Sequence, residues 1–236
     1  MNQRIAKFLS AAGVCSRREG EALIATGRIK LNDQVVTTPT TFVRESDVVT
    51  FDNRTVRLTC VRQLWAFYKP VECITSRVDP EGRKTIYDIL PPSFKNIRYV
   101  GRLDYFSEGL LLLTNDGALV RSLELPRNKI PRIYRVRIYG AVQPNFQQLL
   151  LNGITVDDIE YKGIQVEVEP AEGRNTWLRL TLVEGKNREI RRIMNYLGYK
   201  LNRLVRVGYG PVTIDGLKLG QVKEIPIEVI DKYLQR

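Results

Sequence analysis

The chain has 236 residues and a net charge of +11, and histidine is absent from it. The missing histidine excludes Ser-His-Asp and Cys-His catalysis and every histidine-ligated metal site. Cys15, Cys60 and Cys73 are too scattered for a zinc cage, and an odd count argues against a secreted disulfide framework. No signal-peptide pattern and no apolar run of membrane-spanning length occurs. We therefore expect a soluble protein of the reducing cytoplasm.

The positive charge is concentrated in separate stretches of the chain. Residues 61–140 carry a net charge of +6 and residues 181–210 carry +5, whereas residues 141–180 carry −3. A single basic residue is as often a solvated surface group as a ligand. Separated basic blocks favour a nucleic acid as partner, because they form an electrostatic footprint for phosphates.

The first 60 residues predict two short helices followed by strands. An apolar pattern at i, i+3, i+4 and i+7 begins at Ile5 and predicts a helix that ends at Gly13. Ser16 and Glu19 have the spacing of a capping box and predict a second helix, which Gly27 ends. Two strands are predicted next, over residues 27–32 and 48–51.

Two motifs in this part carry a resemblance. The stretch Gly-Val-Cys-Ser-Arg-Arg-Glu over 13–19, followed by Gly-Arg-Ile-Lys-Leu-Asn over 27–32, resembles the S4-type (αL) RNA-binding module of a small-subunit ribosomal protein and several RNA-modifying enzymes. The resemblance implies a small RNA-binding domain over residues 1–60. The second helix opens with two arginines where free N–H groups already favour phosphate, although a solvated helix start is the alternative. The residues expected to contact RNA are Arg4, Arg17, Arg18, Arg28 and Lys30.

The rest of the chain, residues 63–236, predicts a second domain of the α+β class with a mixed, largely antiparallel sheet. A loop over 77–98 carries a helical turn, and a short helix is expected over 143–151 with Pro144 in its first turn. The predicted strands are 65–68, 110–113, 134–138, 164–168 and 177–183.

One motif places a carboxylate directly before a buried strand. Gly-Arg-Leu-Asp over 101–104 precedes the four leucines at 110–113. An ionised Asp104 in such a place needs a cationic partner or several hydrogen bonds. A turn or cap role is the alternative for this residue.

A second motif supplies the cation. In Gly-Lys-Asn-Arg-Glu-Ile-Arg-Arg over 185–192, a helical pattern puts Arg188, Arg191 and Asn195 on one flank, with Arg191 nearest the apolar edge. A guanidinium in that position suits bidentate pairing with a recessed carboxylate. A basic solvated face is the alternative, and it fits Arg192 better than Arg191.

These two motifs, with Tyr134 between them and the RNA-binding module ahead, resemble the RsuA/RluB branch of ribosomal pseudouridine synthases over residues 2–225. The resemblance implies that Asp104 is catalytic, that Tyr134 stacks on a flipped base and that Arg191 pairs with the aspartate. Leu-Val-Arg-Val-Gly over 204–208 resembles the closing motif that lines the uracil pocket. The implied substrate-binding residues are Arg102, Lys186, Asn187, Arg188, Leu204 and Arg206.

The chain departs from the family pattern in three respects. Glu72 stands where glycine is frequent, Tyr105 and Phe106 are more aromatic than usual, and Arg132 replaces a frequent lysine. None of these departures removes a catalytic group, but the first two bear on substrate preference.

The implied reaction isomerises a uridine in a structured ribosomal RNA stem-loop. The N-glycosidic bond breaks, the base rotates and a C–C bond forms, so neither a metal nor a cofactor is required. Asp104 acts either as nucleophile at the sugar or as base at C2′. A monomer is expected, and residues 172–177 and 207–210 look closer to the large-subunit branch.

Three other functions stay open on sequence grounds. The same scaffold could serve a non-catalytic RNA-binding or ribosome-assembly protein, or a synthase that acts on the small subunit. A two-carboxylate glycoside hydrolase would need a second acid, for which Asp116 in a Thr-Asn-Asp-Gly turn is the candidate.

Overall fold

The computed structural model describes residues 2–58, 61–170 and 173–235, so Cys60 and Glu172 lie outside the described residues. The chain forms two compact units. The first comprises Met1–Arg62, Asn96–Arg98 and Asn115–Gly117, and the second comprises Gln63–Lys95, Tyr99–Thr114 and Ala118–Arg236.

Short strands and helices alternate along the described chain. In chain order the strands and helices are β1 (Gln3–Arg4), α1 (Ile5–Ala11), α2 (Arg17–Ala25), β2 (Ile29–Leu31), β3 (Gln34–Val35), β4 (Phe42–Val43), β5 (Val49–Phe51), β6 (Arg54–Val56), β7 (Leu64–Lys69), β8 (Arg98–Val100), β9 (Glu108–Thr114), α3 (Gly117–Glu124), β10 (Arg132–Tyr139), α4 (Phe146–Leu151), β11 (Ile154–Val156), β12 (Ile159–Tyr161), β13 (Gln165–Val168), β14 (Asn175–Leu182), α5 (Glu189–Tyr196), β15 (Leu201–Tyr209), β16 (Val212–Thr213), β17 (Val222–Ile225) and α6 (Ile227–Leu234). Three 3₁₀ turns lie at Ile86–Asp88, Pro92–Phe94 and Pro126–Asn128. None of the described helices is both long and apolar enough to cross a membrane.

The first unit packs its two helices against a small sheet of order β3-β2-β5-β6. The capping box is confirmed, because Ser16 Oγ accepts from the Glu19 N–H at 3.2 Å and Glu19 Oε2 accepts from the Ser16 N–H at 2.7 Å. Ile5, Leu9 and Ile29 are fully buried between the layers.

The second unit is built on one mixed sheet of order β13-β14-β10-β15-β9-β7-β17. Every neighbouring pair along this path is antiparallel except β15 and β9, which run parallel. One core cluster lies between α4, α5 and strands β10, β14 and β15, and another lies between α3, α6 and strands β7 and β9. The predicted α+β class and largely antiparallel sheet are confirmed.

Local details differ from the sequence expectations at two places. The helix expected over 143–151 begins at Phe146 with Asn145 as its N-cap, so Pro144 precedes the helix instead of occupying its first turn. Arg188 is the N-cap of α5 with a φ of 50°, so it lies ahead of the helix rather than on its flank.

The parallel pair depends on a close approach at Gly109. This residue pairs with Arg206, and its φ of 115° lies in a region that favours glycine. A Cβ at Gly109 would lie 2.3 Å from the Arg206 carbonyl oxygen and 2.5 Å from its nitrogen. Any side chain at this position would therefore push β9 away from β15.

We expect Gly109→Ala to cost more than about 3 kcal/mol of unfolding free energy, because backbone must move in the middle of the sheet. Gly140→Ala is the matched control: Gly140 also has a positive φ of 86°, but nothing lies within 4 Å of the place that a Cβ would occupy. It should cost only the conformational strain, about 1 kcal/mol. Urea unfolding checks both, and equal losses would contradict the close-approach argument.

Candidate functional site

A cavity of about 720 Å³ in the second unit brings together the residues that the two motifs suggested. Strands β10 and β15 supply its floor, and the loop before β9 and the segment before α5 supply its walls. All nine site residues predicted in this part of the chain line it: Arg102, Asp104, Tyr134, Lys186, Asn187, Arg188, Arg191, Leu204 and Arg206.

Asp104 faces two guanidinium groups across this cavity. Its Oδ2 lies 3.7 Å from Arg188 Nη1 and 3.9 Å from Arg191 Nε, and about a third of its side chain is exposed. These separations are ion-pair distances and too long for hydrogen bonds. The bidentate Asp104–Arg191 pairing expected from the sequence is therefore wrong for this structure.

Arg191 is instead anchored to the backbone beside the aspartate. Its Nη2 donates to the Phe106 carbonyl at 2.7 Å and to Ser107 Oγ at 3.3 Å, while its buried Nε has no hydrogen-bond partner in the described chain. Burial lowers the pKa of Arg191 and Arg188 lowers it further, whereas Asp104 raises it. The anchored guanidinium therefore keeps its Nε–H group without a hydrogen-bond acceptor, 3.9 Å from Asp104 Oδ2.

Lys69 holds the loop of residues 103–107, which is called the aspartate loop below. The sequence alone did not indicate this role. Its side chain is fully buried at the end of β7, and Nζ donates to the carbonyls of Pro70 at 2.9 Å, Asp104 at 3.1 Å and Ser107 at 2.8 Å. Burial lowers the pKa of Lys69, although the charge of Asp104 opposes this. The signal in the sequence was a lysine that ends an otherwise apolar strand, directly before proline.

The other carbonyl groups of the loop also accept hydrogen bonds. Thr75 Oγ1 donates to the Leu103 carbonyl at 2.9 Å and accepts from the Leu103 N–H at 3.1 Å. The Glu72 N–H donates to the Tyr105 carbonyl at 2.8 Å. Each carbonyl in residues 103–107 therefore accepts a hydrogen bond, so the backbone on both sides of the carboxylate is fixed.

Glu72 occupies a backbone conformation that favours glycine. Its φ is 59°, in the left-handed region where a Cβ is strained. The family resemblance expected glycine here, and the geometry supplies the reason. The exposed Glu72 keeps the turn that delivers its N–H to the loop.

The cavity floor combines Tyr134 and Leu204 with two buried arginines, Arg132 and Arg206. Tyr134 and Leu204 both face the core cluster under α5. Arg206 pairs with Tyr134 across the two strands, is only 2% exposed, and donates from Nε to the Leu110 carbonyl at 2.7 Å. Its buried Nη2 has no hydrogen-bond partner in the described chain.

Arg132, which stands where the family often has lysine, is a structural residue here. It is 9% exposed, and its guanidinium donates to the Ile130 and Val183 carbonyls, each at 3.2 Å, and to the Tyr209 hydroxyl at 3.1 Å. It therefore ties three segments beneath the cavity.

The predicted RNA contacts of the first unit divide into free and engaged side chains. Arg4, Arg17 and Arg18 are exposed, and the latter two are the first residues of α2. Arg28 pairs with Asp52, its Nε donating at 2.9 Å, and Lys30 donates to Asn53 Oδ1 at 2.9 Å. Arg28 and Lys30 would therefore have to give up these partners to bind phosphate.

No metal centre is formed by the part of the chain that the structure describes. Within it, no group of three or more cysteine, aspartate or glutamate side chains is placed to hold a metal ion.

Known proteins similar to this chain were found by sequence and by structure. Residues 63–196 match the family model described as RNA pseudouridylate synthase, and residues 3–49 match the S4 domain. An uncharacterized RNA pseudouridine synthase of Rickettsia felis is 41% identical over 230 residues, which cover 98% of this chain and 100% of the relative.

Two further matches extend this result. A ribosomal large subunit pseudouridine synthase B of Yersinia pestis is 35% identical over 245 residues, covering 100% of this chain and 76% of the relative. A crystal structure of a pseudouridylate synthase superposes with a TM-score of 0.68 at 24% identity, covering 98% of this chain and 99% of that one. The structural match supports the fold.

We expect Lys69→Met to lower the unfolding free energy by about 3 kcal/mol, because it leaves buried carbonyls without a donor. Amide exchange should become faster at Glu72 and Ser107, whose N–H groups bond to the aspartate loop. Lys95→Met is the control, since Lys95 is exposed and should stay within about 0.5 kcal/mol of the wild type. Unchanged exchange in the Lys69 variant would contradict its anchoring role.

Proposed function

Since this chain belongs to the RNA pseudouridylate synthase family and carries an S4 domain, we propose that it converts a uridine of large-subunit ribosomal RNA to pseudouridine, with Asp104 as the reacting carboxylate. One observation carries the assignment of the residue: Asp104 projects from a fixed loop into the cavity between Arg188 and Arg191. The choice of RNA rests on relatives named as large-subunit synthases at 35% identity.

The cavity fits a base that has left its helix. A uridine inside paired RNA exposes its sugar and both base edges only when it is extruded. A pocket of about 720 Å³ accommodates one nucleotide, and Tyr134 offers a ring on which the base can stack. Leu204 supplies apolar contact beside that ring.

Two buried N–H groups at this site have no hydrogen-bond partner in the described chain. Arg191 Nε and Arg206 Nη2 belong to residues that line the cavity. A buried donor without an acceptor costs free energy, and a bound uridine with its two carbonyls and neighbouring phosphates would supply acceptors. Substrate binding would therefore satisfy donors that the free protein leaves unmet.

Asp104 then begins the reaction either as nucleophile at the sugar or as base at C2′. In both cases its position relative to the ribose must be maintained while the glycosidic bond breaks, and the hydrogen-bonded loop provides that. Arg188 and Arg191 stabilise negative charge at the carboxylate or on the departing uracil. Tyr134 contacts the base as it turns and takes part in the final loss of the C5 proton in this proposal.

We expect Asp104→Asn to abolish tritium release from [5-³H]uridine-labelled ribosomal RNA, because C5 becomes the new glycosidic carbon and loses its hydrogen. Asparagine keeps the size of the side chain but is neither a nucleophile nor a base at neutral pH. RNA affinity should be retained or slightly raised, since both arginines lose an internal partner.

Asp158→Asn is the matched control, because Asp158 is an exposed turn residue with a φ of 60° that asparagine tolerates. It removes the same charge and should keep wild-type release. Wild-type release by the Asp104 variant would disprove the assigned role. Binding without release by the wild-type protein on any ribosomal RNA would favour a non-catalytic RNA-binding function.

The first unit should supply affinity rather than chemistry. Reversing the charges of Arg17 and Arg18 to Glu should weaken binding to ribosomal RNA and reduce the salt slope of log K by about 2, one for each lost phosphate contact. Lys218→Glu with Lys223→Glu makes the same change of net charge on exposed residues outside the cavity. Equal effects from the two double variants would show that only net charge matters and would contradict the assigned contact.

A further inference from the structure

Glu189 is a buried carboxyl group that the proposed reaction does not use. It is the first residue of α5, is 4% exposed and lines the wall of the cavity. Its Oε2 accepts from the Lys186 N–H at 3.0 Å, whereas its buried Oε1 has no hydrogen-bond donor in the described chain. An ionised carboxylate in that setting would leave half of its charge without compensation.

The neighbour of Glu189 is a second carboxyl group. Besides burial, the charge of Glu184 and a side-chain hydrogen bond with it both raise the pKa of Glu189. Glu184 already accepts from the Lys162 N–H at 2.8 Å through Oε1, and its Oε2 lies 3.4 Å from Lys186 Nζ. Two carboxylates are acceptors only, so a hydrogen bond between them requires a proton on one of them.

We propose that, below neutral pH, Glu189 is a neutral carboxylic acid that donates a hydrogen bond to Glu184, and that this bond positions the segment 184–188 so that Arg188 faces Asp104. Glu189 is thus a positioning residue for the proposed conversion of uridine, on which the activity part of this inference rests.

The electrostatic surroundings agree with a protonated Glu189. Burial and the charge of Glu184 raise the pKa of Glu189 to about 7, against the lowering by the Lys186 N–H and the Lys186 charge. The other polar groups near this segment are Tyr161, whose ring lies 5.4 Å from Lys186 Nζ, and Arg132, which lies beside Gly185 and donates to the Val183 carbonyl. Lys186 also donates to the Glu160 carbonyl.

The bond matters because the segment ends in a strained residue. Arg188 has a φ of 50°, a left-handed conformation that an arginine adopts at a cost. About half of the Arg188 side chain is exposed, and besides Asp104 it has no ion-pair partner in the described chain. Glu189 holds this turn at two points ahead of Arg188, because it accepts from the Lys186 N–H and, in the proposed neutral form, donates to Glu184.

The direction of the pH effect follows from the raised pKa of Glu189. Between about pH 4.5 and 7, the folded protein keeps a proton that the unfolded chain has released, so stability falls as the pH rises through this window. Glutamine has the same shape and an NH₂ donor for Glu184, and it does not titrate. Glu189→Gln should therefore gain stability relative to the wild type as the pH rises.

The experiment measures thermal unfolding and tritium release from ribosomal RNA between pH 5 and 8.5. The unfolding midpoint of Glu189→Gln minus that of the wild type should increase between pH 5 and about pH 7 and then level off at about 5 °C. Wild-type kcat/KM should fall at least threefold between pH 6.5 and 8.5, whereas the Gln variant should keep its value. Glu160→Gln, an exposed neighbour, should follow the wild type in both measurements.

Glu189→Ala separates positioning from simple packing. This change removes both the donor to Glu184 and the acceptor of the Lys186 N–H. We therefore expect kcat to fall at least tenfold at every pH, and only Gln at this position to restore it. A midpoint difference that does not change with pH, or a Gln variant as impaired as the Ala variant, would overturn the inference. The unfolding measurement needs no RNA, so it tests the proton on Glu189 even if the proposed reaction itself fails.

Discussion

The site depends on the contact between one buried ammonium group and the aspartate loop. Lys69, at the end of β7, donates from Nζ to the carbonyls of Pro70, Asp104 and Ser107. These carbonyls are the partners of its charge, where a buried lysine would otherwise need a carboxylate. Burying the ammonium charge in this way costs free energy, and burial accordingly lowers the pKa of Lys69. As a result, the backbone that carries the Asp104 carboxylate is fixed before substrate binds, as catalysis by positioning requires.

The site also requires that the loop before β9 lie close to strands β10 and β15, and the sheet brings them together. Asp104 precedes β9, whereas Tyr134, Leu204 and Arg206 lie on β10 and β15. Gly109 lets β9 run in parallel contact with β15, and thereby brings the carboxylate loop close to the cavity floor. Arg188 at the N-cap of α5 and Arg191 within the helix add the guanidinium groups. Arg191 donates to the loop, and Glu189 accepts from the Lys186 N–H ahead of Arg188.

Much of this arrangement could be predicted from the sequence, because it is encoded in local patterns. Apolar periodicity indicated α5, the capping box indicated α2, and the Gly-Arg-Leu-Asp motif indicated Asp104. The contacts of Lys69 and Arg132 could not be predicted, since their carbonyl partners are distant in sequence and carry no side-chain signature. The same holds for Arg191, whose long separation from Asp104 depends on where the loop backbone lies.

The central claim is that Asp104 converts a uridine of large-subunit ribosomal RNA to pseudouridine, and mapping pseudouridines in cells tests it most directly. Both ribosomal RNAs would be mapped in cells that contain the protein, in cells that lack it, and in cells complemented with the wild type or with Asp104→Asn. We expect a pseudouridine of the large-subunit RNA to disappear without the protein and to return only with the wild type. An unchanged map, or a loss confined to the small-subunit RNA, would contradict the account.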